Sequence, residues 1–214
     1  MSNDLHQSPP KTAGDPLDAA VAAVILVHGR GASAAGMLEL SKEFPTNGIA
    51  YIAPQADHNT WYPRSFLEPI EDNEPWLSAA LNRLKDMRDT VTAAGIPGEQ
   101  LLFLGFSQGA CLASEFVARH PRRYGGLAAL SGGLIGPLGM HRQYHGTLDD
   151  TPVFLGCSDI DPHIPLDRVD ETASVFESMD ATVTKRIYEG MGHGINRDEL
   201  ETVATMIDAL GTDE

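Results

Sequence analysis

Hydrophobic positions along the chain fall into two alternating patterns. Short unbroken apolar runs recur between turn residues: Val21 to Val27 ending at His28-Gly29, Ile49 to Ala53 ending at Pro54, Leu101 to Phe106, Gly126 to Leu130, Pro152 to Gly156 and Thr182 to Tyr188. Runs of this length read as strands buried on both faces, as in parallel sheets. Between them lie stretches of helical periodicity, Ala34 to Lys42, Trp76 to Ala94, Gln108 to Arg119, Asp167 to Met179 and Asp198 to Leu210. Strand, helix and strand in repetition predict the α/β class: a mostly parallel central sheet with helices on both faces, because each right-handed crossover lays a helix against the sheet. Residues 1 to 17 break the pattern, being polar and carrying Pro9, Pro10 and Pro16. They read as a polar N-terminal lead-in, and residues 18 to 214 as a single domain.

Composition narrows the classes. A chain of 214 residues with 42% hydrophobic and 21% charged residues can bury its own core and is neither disordered nor membrane-like. Thirty acidic against 15 basic residues leave a net charge of −15, a field that repels phosphates and anionic lipid, so neither nucleic-acid binding nor stable membrane insertion is expected. The lysines are Lys11, Lys42, Lys85 and Lys185, and so acidic and lysine-poor a surface suits an ordinary acidic enzyme or one from a high-salt interior. The cysteines, Cys111 and Cys157, fall within an expected helix and strand and read as buried free thiols, which fits a reducing compartment and a cytoplasmic protein. Ala19 to Val27 is too short to span a membrane, and Asp4, Asp15 and Asp18 before it carry the wrong charge for a signal peptide.

The chemistry concentrates at strand ends. Directly after the run Leu101 to Leu104 comes Gly105-Phe106-Ser107-Gln108-Gly109, followed by small helical residues. A G-x-S-x-G turn between strand and helix needs small residues two before and two after the serine, because the turn is sharp and its backbone strained. The helix then begins at the serine, and its free N–H groups favour the oxyanion of acyl transfer. A serine nucleophile needs a base, and the base an acid that fixes its tautomer. His193 lies in Glu189-Gly190-Met191-Gly192-His193-Gly194, straight after the last strand and at the edge where active-site loops gather, and is read as the base. His120, His141 and His145 suit solvated positions, and His28 reads as structural, with Gly29-Arg30-Gly31 after it suited to an oxyanion loop. Two carboxylates compete for the acid. Asp161, stiffened by Pro162 and Pro165, is favoured over Asp159, which suits bonding to loop amides. No metal-ligand spacing appears among the histidines, and no cofactor is expected.

The motifs His28-Gly29-Arg30-Gly31, Pro54-Gln55-Ala56, Trp61-Tyr62, Gly95-Ile96-Pro97, Gly105 to Ala110, Asp161-Pro162 with Ile164-Pro165, and Tyr188 to His193 occur in that order between about Val21 and Leu210. Together they resemble the phospholipase/carboxylesterase family of small serine hydrolases, which includes acyl-protein thioesterases and bacterial carboxylesterases. The resemblance implies the α/β-hydrolase fold, with Ser107 as nucleophile, Asp161 as acid, His193 as base, and an oxyanion hole from the backbone N–H groups of Arg30 and Gln108. Thioesterases of the family usually read H-G-L-G-D where this chain has His28-Gly29-Arg30-Gly31-Ala32. An amide serves the oxyanion whatever its side chain. The guanidinium is then left either to meet a negative group on the substrate or to pair with Glu68 or Glu71. The segment Trp61 to Ile70 either packs on the core or forms a flap. Similar proteins place a substrate wall there, which implies substrate contacts from Trp61, Tyr62, Phe66 and Leu67, with Leu134, Ile135 and Met140 from the loop after Leu130.

These readings point to a cofactor-independent serine hydrolase acting on a small-molecule carboxylic ester, thioester or lysophospholipid through an acyl-enzyme. A C–C hydrolase, a perhydrolase and a non-catalytic binding module on the same fold are the alternatives, and a homodimer is left open.

Overall fold

Period-two alternation along the buried strands sorts their side chains onto two faces of one sheet. The computed structural model describes residues 5–211. Its strands are β1 (Lys11–Gly14), β2 (Ala22–Val27), β3 (Ile49–Ala53), β4 (Leu101–Phe106), β5 (Gly126–Leu130), β6 (Pro152–Ser158) and β7 (Thr182–Tyr188), arranged β1-β3-β2-β4-β5-β6-β7. All neighbours are parallel except β1 against β3. In β2, Ala23, Ile25 and Val27 enter one apolar cluster, while Ala22, Val24 and Leu26 enter the other. Helices α2 (Trp76–Ala93), α3 (Gln108–Arg119) and α4 (Leu166–Ser178) cover the first face through Leu77, Leu84, Phe116, Val169 and Phe176. Helices α1 (Ala34–Leu38) and α5 (Arg197–Asp208) cover the second through Ala34, Met37, Val203 and Ile207. The α/β architecture expected from the periodicity is the one observed. Among the described residues no helix is long and apolar enough to cross a membrane.

The elements depart from expectation where the apolar signal is weak. The first helix stops at Leu38 and continues to Glu43 as a tighter 3-10 turn, with the Ser41 hydroxyl donating to the Leu38 carbonyl. The last helix likewise ends at Asp208, before a 3-10 turn at Ala209–Gly211. Strand β6 runs on to Ser158 because Ser158 pairs with Tyr188.

The largest difference lies in the polar lead-in, of which residues 1–4 fall outside the described residues. Lys11–Gly14 is an edge strand, Lys11 opposite Ala53 and Gly14 opposite Ala50. Three of its four residues are exposed, so no apolar alternation marks it in the sequence. Gly14 has φ +74°, and a Cβ there would come within 2.2 Å of the Ile49 carbonyl oxygen. Upstream, His6 is fully buried between Trp61 and Trp76, at ring separations of 5.4 and 5.5 Å.

Parallel pairing sets the carboxyl ends of β2, β4, β6 and β7 along one rim, with Val27 opposite Gly105 and Ser158 opposite Tyr188. Open α/β sheets bind ligands at that rim.

Candidate active site

Ser107 sits between β4 and α3 with φ 55° and ψ −122°, a conformation that residues with a Cβ rarely adopt. The turn is held by crowding on both sides. A Cβ on Gly105 would lie 2.4 Å from the Gly109 carbonyl oxygen, and one on Gly109 would lie 2.1 Å from that of Val27. Only glycine fits either place, and the chain is bent so that the serine hydroxyl stands clear of the strand.

Two loops from the same rim meet it. The His193 ring places Nε2 2.9 Å from the Ser107 hydroxyl and Nδ1 2.7 Å from Oδ2 of Asp161. Asp161 has no exposed side-chain surface, and its Oδ1 accepts from the amides of His163 and Ile164. Burial alone would raise its pKa, but the bonds from the His193 ring and from those two amides outweigh it and hold the carboxyl below its ordinary value. An ionised carboxylate can only accept, so Nδ1 of His193 carries the ring proton and Nε2 is left to accept from the serine. The ring is braced by Phe106 and His163, at centroid distances of 5.0 and 4.8 Å.

Asp159 takes the other role weighed for it. Its Oδ1 accepts from the amide of Gly190, and the neighbouring Ser158 hydroxyl accepts from that of Gly192. Both tie down the loop that carries His193. Beyond the histidine, Asn196 and Glu199 form a reciprocal capping box at the start of α5, and Asn196 also reaches Sδ of Met191.

Glu199 is fully buried, its Oε1 has no hydrogen-bond partner, and Gly156 is small enough to admit it. Burial pushes its carboxyl up from 4.5 to about 7, although the Asn196 amide favours the charged form. The folded protein therefore holds this proton more tightly than the unfolded chain does. Its contribution to stability is complete below about 4.5 and is lost as the pH rises through about 7. Glu199→Gln keeps an oxygen for the Asn196 amide and carries no charge. The variant is expected to melt on the order of 5 °C above wild type at pH 8 and near it at pH 4.5. Melting curves at the two pH values check this, and an equal offset at both would mean that the buried charge is not the cause.

The backbone N–H groups of Arg30 and Gln108 have no acceptor among the described residues. Gln108 instead spends its side chain on the segment above, accepting from the Trp61 amide and donating to the Tyr62 carbonyl. The Arg30 guanidinium donates to the carbonyls of Tyr62, Pro63 and Arg64, and pairs with neither Glu68 nor Glu71. It clamps that segment as a strap beside Ser107. His28 is buried, with Nδ1 at 2.8 Å from the Gly29 carbonyl and Nε2 accepting from the Ala56 amide; burial lowers its pKa. This is a neutral structural histidine, as expected.

A cleft of about 460 Å³ opens onto Ser107, lined among others by Tyr62, Phe66, Cys111, His163, Ile164 and Arg64. Of the substrate contacts inferred earlier, Tyr62 and Phe66 line it. Trp61, Leu67, Leu134 and Ile135 do not. Trp61 is fully buried, its indole N–H donating to the His28 carbonyl, and Leu134 and Ile135 are pinned in the core by Thr172 and Glu115. Met140 faces a separate cavity beside Ile70 and Tyr144. Apolar character marks burial equally well in a wall and in a core, so sequence could not separate the two. Cys111 and Arg64 went unrecognised as cleft residues, although Cys111 lies four residues, one helical turn, beyond Ser107. Burial pushes the Cys111 thiol up to about 12, so it stays protonated and does not rival Ser107 as a nucleophile. Among the described residues no group of three or more His, Cys, Asp or Glu could hold a metal ion.

The arrangement links a hydroxyl, an imidazole and a carboxylate in a proton path, with free amides beside the hydroxyl. The family described as Phospholipase/Carboxylesterase matches residues 14–210. An acyl-protein thioesterase 1 from Yarrowia lipolytica is 26% identical over 87% of this chain and 91% of its own length. The one from Saccharomyces cerevisiae is 34% identical over 59% of the chain, which spans only 58% of that relative. A phospholipase/carboxylesterase from Dyadobacter fermentans superposes with TM-score 0.90 at 40% identity, over 97% of this chain and 99% of that one. The Bacillus cereus carboxylesterase, at 17% identity and TM-score 0.74, shares the fold.

Proposed function

The chain belongs to the phospholipase/carboxylesterase family, enzymes of the esterase class on an α/β-hydrolase fold, and we propose that it cleaves carboxylic esters or thioesters through an acyl-enzyme on Ser107. The observation that carries this reading is the unbroken path from Ser107 through His193 to Asp161, at 2.9 and 2.7 Å, beside the free amides at the start of α3.

His193 takes the Ser107 proton as the hydroxyl oxygen attacks the substrate carbonyl. The developing oxyanion is met by the N–H groups of Arg30 and Gln108, donors fixed in place before the reaction. His193 then gives its proton to the leaving alcohol or thiol. A water molecule, activated by the same imidazole, releases the acid and restores the serine. Asp161 holds the ring in its tautomer and balances the imidazolium. The two free, buried cysteines support a reducing compartment, and we place the enzyme in the cytoplasm.

The test combines turnover with labelling. The protein is expected to hydrolyse 4-nitrophenyl esters and acyl thioesters of short to medium chain, and a fluorophosphonate should add to it once, on Ser107 by peptide mass spectrometry. Labelling without turnover of any ester or thioester would point to another bond. Neither labelling nor turnover would leave a binding module.

A further inference from the structure

The cleft at Ser107 carries the opposite charge to the molecule around it. The chain as a whole bears −15, yet the charged residues that line the cleft are Arg30 and Arg64, with no aspartate or glutamate among its lining. The triad carboxylate, Asp161, has no exposed side-chain surface and is already taken up by the His193 ring and by the amides of His163 and Ile164. Elsewhere, Arg88, Arg119, Arg142, Arg168, Arg186 and Arg197 sit in ion pairs, while Arg83, Arg122 and Arg123, away from the cleft, do not among the described residues. Arg30 and Arg64 form none among the described residues, although the nearby chain offers Glu68, Glu71 and Asp72.

The two arginines differ in what their side chains do. Arg30 is tethered to three carbonyl oxygens, which fix its position but leave its full charge in place. Arg64 is held only through its backbone, by the Asn73 side chain at its N–H and by Arg30 at its carbonyl. Its exposed guanidinium makes no hydrogen bond among the described residues. The clamp accounts for Arg30, but a second guanidinium set unpaired beside it on Arg64, in a chain with twice as many acids as bases, contributes little to stability. It is explained by a ligand. A guanidinium offers a planar fork that fits the oxygens of a carboxylate or phosphate in paired hydrogen bonds, and it stays charged at every working pH.

Resting on Ser107 as the nucleophile, we propose that the natural substrate is an ester or thioester that carries a carboxylate or phosphate near its scissile carbonyl. Arg64 pairs with that group, and Arg30 holds the strap in register and adds its own charge. The −15 molecule repels anions at long range, so the preference is a local property of this rim.

Two matched substrate pairs test it. The first is mono-4-nitrophenyl glutarate against its methyl ester, with the anion on the acyl side. The second is 3-(butyryloxy)phenyl phosphate against its dimethyl triester, with the anion on the leaving group. In at least one pair the charged member is expected to exceed the neutral one in kcat/KM by about tenfold. Arg64→Gln should bring that ratio to within about twofold of one, with Arg64→Lys in between. Because the exposed Arg64 side chain makes no hydrogen bond or ion pair among the described residues, the fold is expected to survive the change, and melting curves check that. Neutral members equalling or exceeding the charged ones in both pairs would overturn the proposal, as would a ratio that survives Arg64→Gln. Failure to hydrolyse any of the four would instead remove the esterase reading on which it rests.

Discussion

Ser107→Ala is expected to lower kcat on a 4-nitrophenyl ester by a factor on the order of 10⁴ to 10⁶, with His193→Ala falling in the same range. The size follows from the geometry. The hydroxyl has its base 2.9 Å away, and the cysteine that shares its cleft is held protonated by burial. Alanine removes one oxygen and leaves the turn to Gly105 and Gly109, so the fold should stay intact and the melting temperature should move by only a few degrees. Because the two side chains act as one device, the double variant should lose little more than either single one. Steady-state rates with melting curves as the control decide the matter. Either single variant keeping more than a tenth of wild-type activity would place the nucleophile elsewhere.

The second large effect separates two aspartates two positions apart. Asp161→Asn is expected to reduce kcat by about 10⁴, and Asp159→Asn by less than about tenfold. At 161 an amide could still accept from the His163 and Ile164 amides, but its NH₂ would face Nδ1 of His193. The imidazole would then turn its own N–H toward Ser107 and could no longer take the serine proton. At 159 the side chain needs only an oxygen for the Gly190 amide, which asparagine supplies. Asp159→Ala removes that oxygen, loosens the loop of His193, and should therefore cost more than Asp159→Asn while staying well short of Asp161→Asn. The reverse order between the two asparagine variants would exchange the roles of the two residues.

Legibility followed the reach of the forces involved. Strands β2 to β7 and the four longer helices could be read from apolar runs and periodicity to within a few residues, because each element is selected largely by which of its own positions must be buried. The elbow was legible for a similar reason: the crowding that demands glycine at 105 and 109 lies within one turn and the strand beside it. Edge strand β1 was missed because its partner, not its own composition, makes it a strand. His6 was missed likewise, buried by two tryptophans, 55 and 70 residues further on.

By itself, then, the sequence determined the α/β class, the strand-to-helix turn that presents Ser107, and a short roster of histidines and aspartates able to serve it. Only the tertiary structure decided which members of that roster meet, since the Ser107–His193 and His193–Asp161 contacts join residues 86 and 32 positions apart. It also decided that Trp61, Leu134 and Ile135 belong to the core and that the Arg30 side chain clamps a strap instead of pairing with a glutamate. Periodicity and steric crowding act between neighbours in the chain and are written locally. Hydrogen bonds and charge pairs at a sheet rim depend on which strand ends the parallel register sets side by side, and that register is a property of the whole sheet.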